Sequence, residues 1–308
     1  MKTILLLGGY GFIGSNILKF IDKNLTSSYK VIVFDKLPSH FAGLTFDCIF
    51  KSYSGDFSDN VLLETIFEEN KIDLVLHSIS TTVPATSFNA KYDIESNLVP
   101  TVELLNCMIK HSVHDIVYIS SGGAIYGNGQ IKHREDEDVY PVSSYGVVKL
   151  AIEKYLMQYA QLYELRPLIL RLSNPYGKYH YSMKQGVINV ALSSAINGQE
   201  FTVWGDGNGL KDYIYIDDFV DILFKLIEKG VYTDVLNVAS GEILSVNTIL
   251  DSIKSNISTF NWKYKESSKF DVQKFELDTT KLKSILRDYS FTSFDEGLKQ
   301  TINWVRTI

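Results

Sequence analysis

Tyr145 and Lys149 stand four positions apart (149 − 145 = 4) in Ser143-Ser144-Tyr145-Gly146-Val147-Val148-Lys149. In a helix this phenol and ammonium share one face. A nearby ammonium favours the phenolate, so it can draw the tyrosine pKa down from about 10 toward working pH and make Tyr145 a usable acid/base. The same spacing also describes two neighbours on a helix surface, and in a chain with 19 tyrosines it arises easily by chance. The two readings separate on whether the rest of the chain brings a reactive partner to the pair.

The N-terminus points to such a partner. Ile4 to Leu7 is a short apolar run of the kind found in a strand buried on both faces, and it leads into Gly8-Gly9-Tyr10-Gly11-Phe12-Ile13-Gly14. A helix follows, with Ile13, Ile17, Phe20 and Ile21 on one stripe. Glycines at 8, 11 and 14 allow a tight turn, a close approach of backbone N–H groups to a pyrophosphate, and close helix–strand packing. A second apolar run, Val31 to Phe34, ends in Asp35, and 35 − 14 = 21 is about the ~20-residue spacing expected of a ribose-binding acid. A carboxylate there accepts from ribose hydroxyls and repels a 2′-phosphate, which favours NAD over NADP; the alternative is an Asp that only caps its strand.

Strand and helix patterns then alternate. Val61 to Asn70 reads as a helix, Ile72 to His77 as a strand and Leu98 to Ile109 as a helix. Ile116 to Ile119 reads as a strand ending at Ser120-Ser121-Gly122-Gly123, and Leu168 to Leu172 as another. This order predicts an α/β fold, a Rossmann-type doubly wound parallel sheet over residues 1–172, with 213–240 returning to it through the strand Val235 to Val238. Residues 173–308 form a smaller, interleaved C-terminal α/β lobe for substrate. Its polar, aromatic stretch Asn174 to Ser182 reads as loop, and helices are expected at Val246 to Ser255, Asp278 to Leu286 and Phe294 to Val305. Tyr145 follows the loop after a sheet strand, so its helix begins near the carboxyl edge where cofactors bind in such folds.

The totals narrow the class. With 308 residues, 45% hydrophobic, the chain has enough apolar material for a large core. A net charge of −6 and a pI near 5.6 give no electrostatic reason to expect nucleic acid or an anionic membrane as partner. Cys48 and Cys107 sit in apolar surroundings without C-x-x-C spacing and read as reduced core thiols of a cytosolic protein, with no metal site. The apolar run from Met1 to Leu7 is cut by Gly8-Gly9 and is too short for a leader or a membrane span.

The ordered series Gly8-x-x-Gly11-x-x-Gly14, Asp35, Gly55-Asp56, His77, Asn97, Ser120-Ser121 with Ile125-Tyr126-Gly127, Tyr145-x-x-x-Lys149 and Arg171-x-x-Asn174-Pro175-Tyr176-Gly177 resembles the extended short-chain dehydrogenase/reductase family, and within it the nucleotide-sugar epimerases and dehydratases. The resemblance implies that NAD is held by the glycine turn with Phe12 and Ile13, by Asp35, by Asp56 and Phe57 at the adenine, by Ile79 and Ser80, and by Lys149 at the nicotinamide ribose, with Asn97 supporting from the next helix. It implies a nucleotide-sugar site at Asn174, Val187, Trp204, Lys211 and Lys269, and a homodimer built on the helices around Leu98 to Ile109 and Ile152 to Leu162. Without the family, Asp56 reads equally as a helix cap, Asn97 as a surface amide, His77 as a satisfied buried histidine and Trp204 as packing.

There are departures. The family's Ser or Thr beside the catalytic tyrosine falls at 127 − 5 = 122, which is glycine here, leaving Ser121 or a water to supply that hydroxyl. Lys stands at 211 and 269 where the family has Arg, a point charge in place of a bidentate fork. The dehydratases' Asp-Glu after that Ser or Thr is replaced by Gly123-Ala124, which disfavours elimination. Epimerisation at C4 of a UDP-hexose is the reading preferred, with Gly122 and Gly123 either giving the sugar room or serving the turn; a keto-sugar reductase and a non-catalytic nucleotide-sensing member are the alternatives.

Overall fold

The computed structural model describes residues 1–36, 45–127, 132–182, 185–266 and 274–307. Seven strands, β1 (Lys2–Leu7), β2 (Tyr29–Asp35), β3 (Ile49–Ser54), β4 (Leu74–His77), β5 (Asp115–Ser121), β6 (Arg166–Leu172) and β7 (Asp234–Val238), form one parallel sheet in the order β7-β6-β5-β4-β1-β2-β3. The chain runs outward from β1 to β3 and then in the opposite direction from β4 to β7. The strand order therefore reverses between β1 and β4, where a crevice opens at the carboxyl ends.

Helices cover both faces because successive side chains of a strand point to opposite sides. Ile4, Leu6, Val31, Val33, Leu74 and Leu76 belong to a core shared with α1 (Phe12–Asn24) and α5 (Ile216–Glu228), while Leu5, Leu7, Ile32, Phe34 and Val75 belong to one shared with α2 (Asn60–Glu69), α3 (Val99–Lys110) and α4 (Ser144–Tyr163). Phe20 of α1 stacks on Phe224 of α5 with centroids 5.1 Å apart. The strand β3 has no counterpart in the sequence reading. It is an edge strand whose residues alternate between half-buried and exposed, so it lacks the continuous apolar run of its neighbours.

A second sheet is organised around Leu210–Tyr215, which pairs with Ile243–Ser245, Lys274–Leu277 and Asn174–Tyr176; Lys132–His133 extends it beyond Lys274–Leu277. The return to the large sheet thus begins at Ile216, not at 213, because Tyr213 to Tyr215 pair with Asn174 to Tyr176 in the smaller sheet. No helix among the described residues is long and apolar enough to cross a membrane.

The first helix starts against the end of β1. Gly8 has φ +81, a left-handed conformation that glycine adopts without strain, and its N–H bonds Phe34 O at 2.9 Å. A Cβ at Gly14 would overlap Gly8 O and lie 2.6 Å from Gly9 Cα, so α1 reaches the turn only because residue 14 has no side chain. Gly14→Ala should push the turn and the helix apart and misplace backbone donors; losing one bond to a charged group costs about 1.5–3 kcal/mol. The expected outcome is NAD affinity at least ~10-fold weaker by titration calorimetry, and unchanged affinity would show that the turn is not where the dinucleotide binds.

Candidate active site

The reactive pair is placed by the first turns of α4. Ser143 Oγ accepts from Gly146 N at 3.2 Å and Ser87 Oγ accepts from Tyr145 N at 2.8 Å, so both side chains fix the helix start. Gly146 lets that start close on the turn Gly122–Ile125, since a Cβ there would overlap Ala124 O and lie 2.9 Å from Pro141 Cβ. Gly146, Lys149, Ile152, Glu153 and Leu156 then face inward and are buried.

Lys149 is 6% exposed; its Nζ donates to Ile119 O at 2.9 Å and lies 4.7 Å from the centroid of the Tyr118 ring and 5.8 Å from that of Tyr145. Burial pulls its pKa down to about 8, with the Glu153 carboxylate opposing the shift. Burial raises the Tyr145 pKa, and the hydroxyls of Ser121 and Ser80, which line the same cavity, oppose the shift without reversing it. The sequence expectation that the nearby ammonium draws the phenol down is thus reversed here, because burial raises it. At this distance, and in a site that itself disfavours the ammonium, burial decides.

Beneath the pair a space of about 10 Å³, the size of one water, is bordered by His77, Asn97, Tyr118, Tyr145 and Lys149. His77 Nε2 bonds Thr101 Oγ1 at 3.0 Å, and burial followed by the Lys149 charge pulls its pKa to about 3, which keeps it neutral. Asn97 lies in the π-helical turn Ile94–Leu98, where its Oδ1 accepts from Thr81 N at 2.9 Å and its Nδ2 donates to Thr81 Oγ1 at 2.6 Å. It fixes the loop after β4 and is no surface amide.

Gly8, Gly11, Phe12, Ile13, Gly14, Ser80, Ser121, Tyr145 and Lys149 line one cavity of about 400 Å³, together with Tyr10, Ser78, Tyr179, His180, Tyr181 and Gln185, which the sequence reading did not single out. The polar, aromatic stretch Asn174 to Ser182 was the signal for three of them. Asp35 stands behind the turn, its Oδ2 accepting from Tyr10 N at 2.8 Å. Asp56 accepts from Lys36 at 2.9 Å and from Ser58 N and Oγ, and these bonds, Lys36 first, hold its carboxyl down at about 2. The Phe57 side chain is core, against Phe34 and His77, and Ile79 borders the small space under Tyr145. A helix N-terminus with a side-chain-free turn, a carboxylate behind it and a cavity leading to a phenol fits a dinucleotide.

The substrate candidates are more dispersed. Asn174 Nδ2 donates to Asp212 O at 2.8 Å, Val187 opens the helix Val187–Ile196, and Lys211 sits in the second sheet opposite Leu244 and Phe275. Trp204 is 66% exposed at the end of the strand Phe201–Trp204, with Lys265 Nζ 5.6 Å from its ring centroid. None of the four lines the 400 Å³ cavity. Lys269 lies outside the described residues. A larger open groove of about 1320 Å³, between α1, α5 and residues 284–290, holds none of the acid/base residues, so volume does not mark the chemistry here.

The glycines after Ser121 play different parts. Gly122 is buried, and a Cβ there would lie 2.5 Å from Leu277 Cδ1, whereas no atom of the described residues lies within 4 Å of one at Gly123. Gly122 therefore serves packing; only Gly123 leaves space. Cys48 is buried, but Cys107 is more than core filler: its Sγ lies 3.5 Å from Glu64 Oε2, in a cluster with His111 that Lys110 closes by pairing with Glu64.

Residues 4–239 match the model of the NAD dependent epimerase/dehydratase family. The chain belongs to that family, and NAD is its cofactor. A putative UDP-glucose 4-epimerase of Methanocaldococcus jannaschii is 30% identical over 98% of both chains. The structure of a UDP-glucose 4-epimerase from Thermotoga maritima, determined with UDP-glucose, superposes with a TM-score of 0.91 at 31% identity over 99% of each chain. A dTDP-4-dehydro-6-deoxyglucose reductase of Escherichia coli is 28% identical over 83% of this chain and 82% of its own, so the family holds more than one reaction.

Two consequences are measurable. Between the folded Lys149 pKa of about 8 and the unfolded value of about 10.4, the unfolded chain binds more protons, so the stability of the cofactor-free protein rises with pH across that window and bears the full burial penalty below it. Lys149→Met should raise the melting temperature at neutral pH, by about 2–4 °C per kcal/mol relieved, and the gap should close toward pH ~10; a pH-independent gap would refute the assignment. Gly122→Ser should cost about 1–3 kcal/mol in urea denaturation because Leu277 must move, and in the double variant with Leu277→Ala the two losses should be less than additive.

Proposed function

We propose that the protein is an NAD-dependent epimerase acting at C4 of a UDP-hexose, of the UDP-glucose/UDP-galactose type. The observation that carries the reading is the meeting of Tyr145, Ser121 and Ser80 at the wall of the dinucleotide cavity, next to a turn, Gly122-Gly123-Ala124, that offers no acid or base.

NAD held at the glycine turn by Gly8 to Gly14 and Asp35 would supply the hydride acceptor and donor for the sugar carbon. Tyr145 takes the proton of the C4 hydroxyl and gives it back, a general base and then a general acid. Ser121, already on the phenol, holds that hydroxyl in place of the family's residue at 122. Lys149 stays buried below, held by Ile119 O, and stabilises the phenolate. Asp35 favours NAD, and a retained oxidised cofactor suits epimerisation better than reduction, the runner-up supported by the reductase relative. Asn174, Val187, Trp204, Lys211 and Lys269 are proposed to hold the nucleotide sugar as the second lobe closes. A homodimer through α3 and α4 is supported by the exposed Val99, Val147, Tyr155 and Leu162. A cytoplasmic enzyme feeding surface-polysaccharide synthesis is the setting that fits.

The test is incubation with a panel of UDP-, dTDP- and GDP-sugars without added reductant. Products epimeric at C4 support the reading, and turnover only with stoichiometric NAD(P)H would replace it with a reductase. Tyr145→Phe should lower kcat by about 10²–10⁴-fold with NAD still bound, and full activity in that variant would show that another group moves the proton.

A further inference from the structure

His180 shares the dinucleotide cavity with Gly11, Phe12, Tyr145 and Lys149. Its ring meets Phe12, the first residue of α1, edge-on with centroids 4.6 Å apart. On its other side is Gly186, where a Cβ would lie 2.6 Å from His180 Cε1, so the missing side chain leaves the ring its place. The loop is tied to α1 again by Asn16 Nδ2, which donates to Lys178 O at 2.8 Å. The imidazole is thus wedged between the starts of α1 and Val187–Ile196, two helix ends that carry positive partial charge. Its Nδ1 is buried without a hydrogen-bond partner among the described residues, a state that costs free energy.

We infer that His180 is a further binding residue for the diphosphate of the dinucleotide, its imidazole donating to a phosphate oxygen held at the start of α1. The inference rests on the reading of Gly8 to Gly14 as a dinucleotide turn. Burial keeps the free imidazole neutral, with its pKa down at about 4, and a phosphate alongside favours the protonated form, so binding should tighten as pH falls. Among the described residues, the titratable groups around the ring are Lys178, which is paired with Asp217 at 3.1 Å, Tyr179 and Tyr181 on its own loop, and Tyr10, Tyr145 and Lys149 across the cavity. The helix starts bring Phe12, Asn16 and Gln185, which do not titrate.

Titration calorimetry with NAD at mildly acidic and mildly basic pH, on wild type, His180→Phe and His180→Gln, tests this. The wild type should bind more tightly on the acidic side. His180→Phe should lose about tenfold to a hundredfold there and less on the basic side, while His180→Gln, which keeps a donor, should recover part of the loss with a flat pH dependence. Wild-type affinity in His180→Phe at both pH values overturns the inference, as does an equal loss at both, which marks packing alone. An altered KM for the nucleotide sugar with unchanged NAD affinity also overturns it. Should His180→Phe not fold, a pH response in His180→Gln as steep as in wild type overturns it. Absence of NAD binding in the wild type would sink the cofactor reading as well, whereas a result confined to the variants bears on His180 alone.

Discussion

A buried ammonium is the constraint around which the rest of the site is arranged. Lys149 is taken out of water under Tyr145, and its proton donors must be satisfied from within. Ile119 O, at the end of the apolar part of β5, accepts one bond, and the Tyr118 face covers another side. One helical turn further along α4, Glu153 supplies the compensating charge. That carboxylate is itself buried, and is held by Ser120 Oγ at 2.6 Å and by Arg171 Nη2 at 2.8 Å. Arg171 Nη1 continues to Tyr126 Oη at 2.9 Å, and Tyr126 Oη to Asn237 Oδ1 at 2.7 Å. The charge on one lysine thus ties α4 to β5, β6 and β7. Removing either partner of the Glu153–Arg171 ion pair within this network typically costs about 3–5 kcal/mol, because the other charge is then left unpaired.

The topology explains why this arrangement meets the glycine turn. Reversal of strand order between β1 and β4 leaves the carboxyl end of β1 uncovered by a crossover, and the turn after β1 opens there. β4 and β5 end beside it, carrying Ser78 and Ser80 on one side and Ser120 and Ser121 on the other. Proton chemistry and dinucleotide turn are far apart in sequence, at 8–14 and 145–149, yet neighbours across two strands.

The sheet was legible in the sequence because a parallel sheet covered on both faces is written as short continuous apolar runs, and β1, β2, β4, β5, β6 and β7 all have them. β3 was not, because it is half-exposed; nor was the hub strand of the second sheet, whose Leu210-Lys211-Asp212 start looks like loop. Tyr145, Lys149 and the glycine turn could be named because each depends on spacing along the chain. The sign of the Tyr145 shift could not, since it is set by burial that many distant residues supply. His180 and Gly122 were unreadable for a similar reason: one is defined by Phe12 and Gly186 on either side of its ring, the other by Leu277, more than 150 residues away (277 − 122 = 155).

Glycine at 122 in place of the family's hydroxyl was the main argument for a member of the fold without catalytic activity. The three-dimensional arrangement removes much of its force. Position 122 is committed to the second lobe, where Leu277 fills the volume a side chain would need, while the neighbouring Ser121, like Ser80, lines the cavity with Tyr145 and lowers its pKa. Ser120, the other candidate in that pair of serines, is engaged by Glu153 and belongs to the buried charge network. Two adjacent serines have thus divided the work: the first bonds Glu153 in the buried charge network, and the second lines the cavity beside the phenol. Since β5 points successive side chains to opposite faces, the two serines point to different sides of the strand end, although both border the cavity. The phenol therefore keeps a hydroxyl partner through the geometry of the strand, even where the family's usual residue is missing.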